Sequence, residues 1–119
     1  MSENIILKKT FALAVEAVKL SRELQIEKKE FVISKQLMRS ATSIGAMTRE
    51  AQQAESKADF IHKMSVALKE ANETEYWMEL LAATDLIDGI NAEPMVSSLK
   101  ESVKMITAIV KTSKINLKN

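Results

Sequence analysis

Across 119 residues there are only two glycines, Gly45 and Gly89, and one proline, Pro94. A many-stranded β fold needs a tight turn every few residues, and such turns draw on Gly for positive φ and on Pro for a fixed φ. Here there is punctuation for a few turns only, so a helical fold with a small number of connections is what remains. The length suits one domain. The chain has no cysteine, which excludes a disulfide framework and a thiolate metal site. Apolar residues at 46% and charged residues at 28% place it with folded globular chains rather than disordered ones.

Apolar residues recur at helical spacing in four stretches, which predict helices over about 5–26, 30–53, 57–88 and 93–115. In the first, Leu7, Phe11, Ala14 and Val18 form one stripe and Leu13, Ala17, Leu20 and Leu24 a neighbouring one, together a wide apolar face. The second carries Ile33, Leu37, Ala41, Ile44, Thr48 and Ala51 on one side, and its middle, Ser40 to Ala46, is built largely of small residues. A glycine inside a helix costs about 1 kcal/mol relative to alanine. Gly45 therefore signals either the close approach of another helix backbone or a local kink.

The third stretch opens with Ser56-Lys57-Ala58-Asp59, an acid three residues after a serine, which is a helix-start pattern. Phe60, Met64, Ala67, Ala71, Thr74, Met78 and Leu81 then step by three and four, while Trp77, Leu80, Thr84 and Ile87 form a different row. One core uses one row, so Trp77, Leu80 and Ile87 are expected to face a partner subunit. Gly89 suits the left-handed residue that closes a helix, and Pro94 suits the first turn of the next. In that last helix Val96, Leu99, Val103, Ile106 and Val110 make a heptad-like seam. Short connections force neighbouring helices to run antiparallel. The expected fold is all-α: one domain, an up-down-up-down four-helix bundle of left-handed packing.

Net charge is +1, so no overall field draws the chain to nucleic acid or to an anionic membrane. The distribution is uneven. Residues 31–69 hold six basic and three acidic side chains, residues 70–101 hold one and eight, and residues 102–119 hold four and none. This polarity could orient subunits, or let Arg49, Lys57, Lys63, Lys111, Lys114 and Lys118 touch a phosphate backbone, though a charge run is most often a solvated face. The N-terminus lacks the apolar core of a secretory signal, and no apolar run approaches the ~20 residues of a membrane span. A cytoplasmic protein with no membrane contact is expected.

Few residues invite chemistry. Asp59-x-x-His62 has the spacing that bundle proteins use for paired metals, but His62 is the only histidine, and a capping Asp59 with a surface His62 explains the pair better. Folding the second and third helices back about residue 56 sets Arg39 near Glu70 and Glu73, and Glu50 near His62 and Lys63. An interhelical ion-pair network of Arg39, Glu70, Glu73 and Glu50 is the structural reading and an acid/base site the functional one. No nucleophile, oxyanion donor or glycine-rich turn accompanies them, which favours the former. Adjacent Tyr76 and Trp77 point about 100° apart on a helix, so one of them covers an edge of the bundle or fills an interface.

The run Leu37-Met38-Arg39-Ser40-Ala41-Thr42-Ser43-Ile44-Gly45-Ala46, followed by Glu50-Ala51, Asp59-Phe60-Ile61-His62-Lys63 and Ala67 to Trp77, closely resembles the family called four helix bundle protein. Its founding members are encoded in intervening sequences of bacterial 23S rRNA genes. The resemblance covers roughly Phe11 to Ile87. It implies an up-and-down bundle that assembles as a homopentamer without established enzymatic activity. A related protein of diversity-generating retroelements is a basic pentamer that binds nucleic acid. This sequence departs from the family at Met47, where asparagine is usual, and lacks that relative's strongly basic surface. The expectation is a non-enzymatic oligomeric scaffold or adaptor without a cofactor, its partners being its own copies and an RNA or a protein. The alternative is direct binding of structured RNA such as rRNA, and a third reading is a metal-dependent activity at Asp59, His62 and Glu50.

Overall fold

A computed structural model describes residues 2–118, and the side chains of residues 5–117. Four helices follow one another: α1 (Ser2–Glu27), α2 (Ile33–Ala51), α3 (Lys57–Ala83) and α4 (Gly89–Lys118). No strand occurs among the described residues. The rod measures 51 × 23 × 21 Å. α1 packs on α2, α2 on α3, α3 on α4, and α4 closes against α1 in the loosest of the four seams. The pairs α1/α3 and α2/α4 sit at opposite corners, so α1 and α3 run parallel to each other. This is the antiparallel four-helix bundle that the four amphipathic stretches imply.

The core follows the expected stripes with corrections in α1 and α4; in α4 the buried row is Met95, Leu99, Ser102, Ile106 and Val110, and the expected Val96 and Val103 are only half-buried. In α2, Leu37, Ala41, Ile44, Thr48 and Ala51 are buried; in α3, Met64, Ala67, Ala71, Thr74, Met78 and Leu81 are. In α1 the inward row is Ile6, Thr10, Leu13, Ala17, Ser21 and Leu24. Phe11, assigned by spacing to an inward stripe, lies outside at 54% exposure, because two stripes are more than one flank of a bundle can cover.

Three hydrogen bonds from buried hydroxyls tie α2 to its neighbours. Thr10 and Thr48 share a hydrogen bond of 3.2 Å, Ser21 donates to the Ser34 carbonyl at 3.1 Å, and Thr74 donates to Ser40 at 2.9 Å. Every buried side-chain nitrogen and oxygen among the described residues has a partner. Gly45 marks the close approach: a Cβ there would stand 3.4 Å from the backbone oxygen of Thr10 on α1. Met47, the departure from the family pattern, is half-buried against the core.

Helix ends differ from the spacing-based bounds for definite reasons. α3 starts as expected, with the Ser56 hydroxyl accepting from the Asp59 amide at 3.0 Å, and the Asp59 carboxylate accepting from the Glu55 amide at 3.2 Å. It ends at Ala83, short of the expected 88, because Asp85 takes the left-handed conformation (φ 60) assigned above to Gly89. The Leu86 amide then reaches the Leu81 carbonyl at 3.0 Å and the Asp85 amide the Ala82 carbonyl at 3.1 Å, the Schellman pattern. Gly89 instead opens α4. Asp88 caps that helix, its carboxylate accepting from the Ile90 amide at 2.9 Å, so α4 begins before Pro94 and carries it inside. At the start of α2, the Glu30 carboxylate accepts from the amides of Val32, Ile33 and Ser34 at 3.1, 2.9 and 2.7 Å. Burial pushes its carboxyl up, but those backbone hydrogen bonds outweigh it and hold the group below its ordinary value.

Candidate functional site

The network centred on Arg39 joins α2 to α3. Its guanidinium contacts Glu70 at 3.1 Å and Glu73, and its Nε donates to Gln36 at 3.2 Å. Glu73 also accepts from the Trp77 indole N–H at 2.8 Å, and Tyr76 stacks edge-on to Trp77 with ring centroids 5.0 Å apart. Antiparallel helices bring these groups together because residues equidistant from the turn face one another. Glu50 does not join them. It stands eleven residues along α2 from Arg39, about 16 Å at helical rise, and faces Lys63 at 3.9 Å instead; Lys63 in turn lies 3.6 Å from Asp59. The guanidinium remains partly exposed, so the network ties α2 to α3 with modest strength.

No set of three His, Asp or Glu side chains converges as metal ligands among the described residues. Asp59 serves the α3 cap, and His62 is exposed.

The residues expected at a partner surface fall into different environments. Trp77 and Ile87 are half-buried and pack against the core, and Leu80 is half-buried on α3. Ile87 is off the helix, since α3 ends before it. It lines a groove of about 730 Å³ with Leu20, Leu24, Met78, Leu86 and Met95, rimmed by Glu16, Glu23, Glu27, Asp85 and Asp88 and by Lys19 and Lys28. Spacing alone missed the exposed apolar side chains of α1, Phe11, Val15 and Ile26, at 54%, 37% and 68% exposure, while Tyr76 of α3, at 56%, is the member of the Tyr76–Trp77 pair left outside. For Phe11 the signal was present in the double stripe of α1. It reads as one broad inward face unless the width of the bundle is taken into account.

The basic residues are likewise divided. Arg49 sits over the Phe11 ring, 5.1 Å from its centroid, which ties α2 to α1. Lys63 is engaged by Glu50 and Asp59. Lys57, Lys111 and Lys114 are exposed and form no ion pair with described residues; they share the end of the bundle where α3 starts and α4 finishes. The side chain of Lys118 lies outside the described ones. Across the α1–α4 seam Lys9 meets Glu101 at 2.6 Å, and that hydrogen bond with its charge attraction holds the Glu101 carboxyl below its ordinary value. No helix among the described residues is long and apolar enough to cross a membrane.

Comparison with known proteins agrees with this architecture. A crystal structure of a protein of unknown function from the S23 ribosomal protein family of Bacteroides thetaiotaomicron superimposes with a TM-score of 0.91 at 50% identity, covering 93% of this chain and 99% of that one. A search of curated proteins gives no match. Residues 2–108 match the family described as 23S rRNA-intervening sequence protein. With its four-helix fold and a match over most of its length, the chain belongs to the 23S rRNA-intervening sequence protein family.

Proposed function

We propose that the chain is a non-enzymatic, cytoplasmic scaffold or adaptor that acts as a homo-oligomer, the pentamer implied by its family resemblance. One observation carries this reading: the outer faces of α1 and α3 keep large apolar side chains in solvent after the core is complete. Isolated apolar residues are ordinary on a protein surface, whereas clustered ones mark contact sites. Phe11 and Val15 stand one turn apart on one helix, and the Tyr76–Trp77 pair presents a joined aromatic surface on another. No residue group described above combines a nucleophile with a base and an oxyanion donor, which is why a binding role is the better reading. Light scattering at micromolar concentration tests it. The expected mass is a multiple of the 13.3 kDa chain, and a particle of one chain contradicts the proposal.

A second reading, binding of structured RNA, is favoured by Lys57, Lys111 and Lys114, which form no ion pair with described residues and share one end of the bundle. Phosphate contacts strengthen as salt is lowered. Titration with folded rRNA fragments is expected to show affinity that falls steeply between low and physiological salt; no binding at low salt contradicts this role.

A further inference from the structure

We propose that copies of this chain associate head to tail, with the outer face of α1 in one copy seated on the C-terminal half of α3 in the next. This rests on the oligomeric reading above and adds which surfaces meet and in what symmetry.

The two faces are complementary in charge and alike in apolar character. On the outer side of α1, Lys8, Lys19 and Arg22 surround Phe11 and Val15, and all five are exposed. Three acids of this helix, Glu16, Glu23 and Glu27, lie to one side, in the groove against α4, and Lys19 stands at the border between that groove and the outer face. On α3, Glu75 and Glu79 flank exposed Tyr76 and half-buried Leu80. The α3 bases Lys57, His62, Lys63 and Lys69 are on its N-terminal half, away from this patch. None of Lys8, Lys19, Arg22, Glu75 and Glu79 makes an ion pair with another described residue of its own chain. The protomer thus carries a basic apolar face and an acidic apolar face, each with its charges unspent.

The topology keeps one copy from joining its own two faces. α1 and α3 occupy opposite corners of the bundle, with no close approach of their backbones. A self-paired contact, α1 on α1 or α3 on α3, would set like charges against each other, which disfavours an isologous dimer. What remains is a heterologous contact, α1 on α3, which repeats from copy to copy.

α1 and α3 run in the same direction, and Glu27 at the end of α1 and Asp85 just past the end of α3 line one groove, which places both C-terminal ends at the same end of the bundle. Lys19 and Arg22 precede the end of α1 by eight and five residues; Glu75 and Glu79 precede the end of α3 by eight and four. At helical rise these correspond to about 12 and 7 Å against about 12 and 6 Å. The opposite charges thus lie at similar distances from the ends of two parallel helices, as a side-by-side contact repeated from copy to copy requires.

The test is a charge exchange read by size-exclusion chromatography with light scattering on the full chain. One variant carries Lys19→Glu and Arg22→Glu, the other Glu75→Lys and Glu79→Lys. Circular dichroism checks that both remain folded, as exposed substitutions should. Each alone is expected to fall to the 13.3 kDa of a single chain. The quadruple variant, with all four exchanges in one chain, is expected to regain the wild-type mass by itself, because every α1–α3 contact is again between opposite charges whatever the number of copies in the ring. If the wild type assembles but either double variant keeps its mass, or the quadruple variant stays at one chain, the α1–α3 contact is wrong while the oligomer stands. A wild type that is itself a single chain overturns both.

Discussion

α2 and α1 differ in how they spend their apolar residues. α2 buries a single stripe, Leu37 to Ala51, and turns Lys35, Gln36, Arg39, Arg49 and Glu50 to water. α1 buries a comparable stripe and still presents Phe11, Val15 and Ile26 outside. A helix that only had to complete this core would resemble α2. The second face of α1 therefore answers to something other than the fold of one chain, and it does so with basic residues around it.

The comparison breaks most readily on the inward rows. Leu37→Ala in α2 removes a fully buried side chain and is expected to cost about 2–5 kcal/mol in chemical denaturation. Val15→Ser on α1, by contrast, is expected to change protomer stability by no more than about 0.5 kcal/mol, as exposed substitutions do, while weakening assembly. A large stability loss at Val15 under fully dissociating conditions would erase the distinction between the two helices. Thr74→Ala should cost about 1 kcal/mol, because it deprives the buried Ser40 hydroxyl of its partner on α3.

The start of α2 sharpens the contrast through pH. The Glu30 carboxylate is held below its ordinary value, so the stabilisation it gives is present above pH about 4.5 and is lost as pH falls through its folded value. Glu101 acts in the same direction on the α1–α4 seam. Glu30→Gln is expected to destabilise by about 1 kcal/mol at neutral pH, with the gap from wild type closing in acid denaturation profiles. A gap that persists at pH 2 would assign the effect to something other than the ionised cap. The smallest expected change is a gain: Asp85→Gly relieves a left-handed residue (φ 60) and should raise stability by about 0.5 kcal/mol in thermal melts.

Which parts of this were legible in the sequence follows from how local each signal is. The start of α3 is written in four consecutive residues, Ser56 to Asp59, and the structure uses both ends of that motif. The meeting of Arg39 with Glu70 and Glu73 followed from folding two helices about a known turn, which depends only on register. The end of α3 escaped because the left-handed position is filled by Asp85 rather than by the nearby glycine. The cap of α2 escaped because Glu30 reaches forward to three amides from outside the usual capping position. The outer face of α1 escaped for a different reason: hydrophobic spacing reports that a face is apolar, and only three-dimensional packing decides whether a neighbour in the same chain covers it.

Sedimentation velocity of the wild-type chain over a dilution series from high to low micromolar tests this account most directly. A single species several times 13.3 kDa that dissociates only on strong dilution is the predicted result. Sedimentation as one chain throughout, with Phe11, Val15 and Tyr76 left in water, would contradict it.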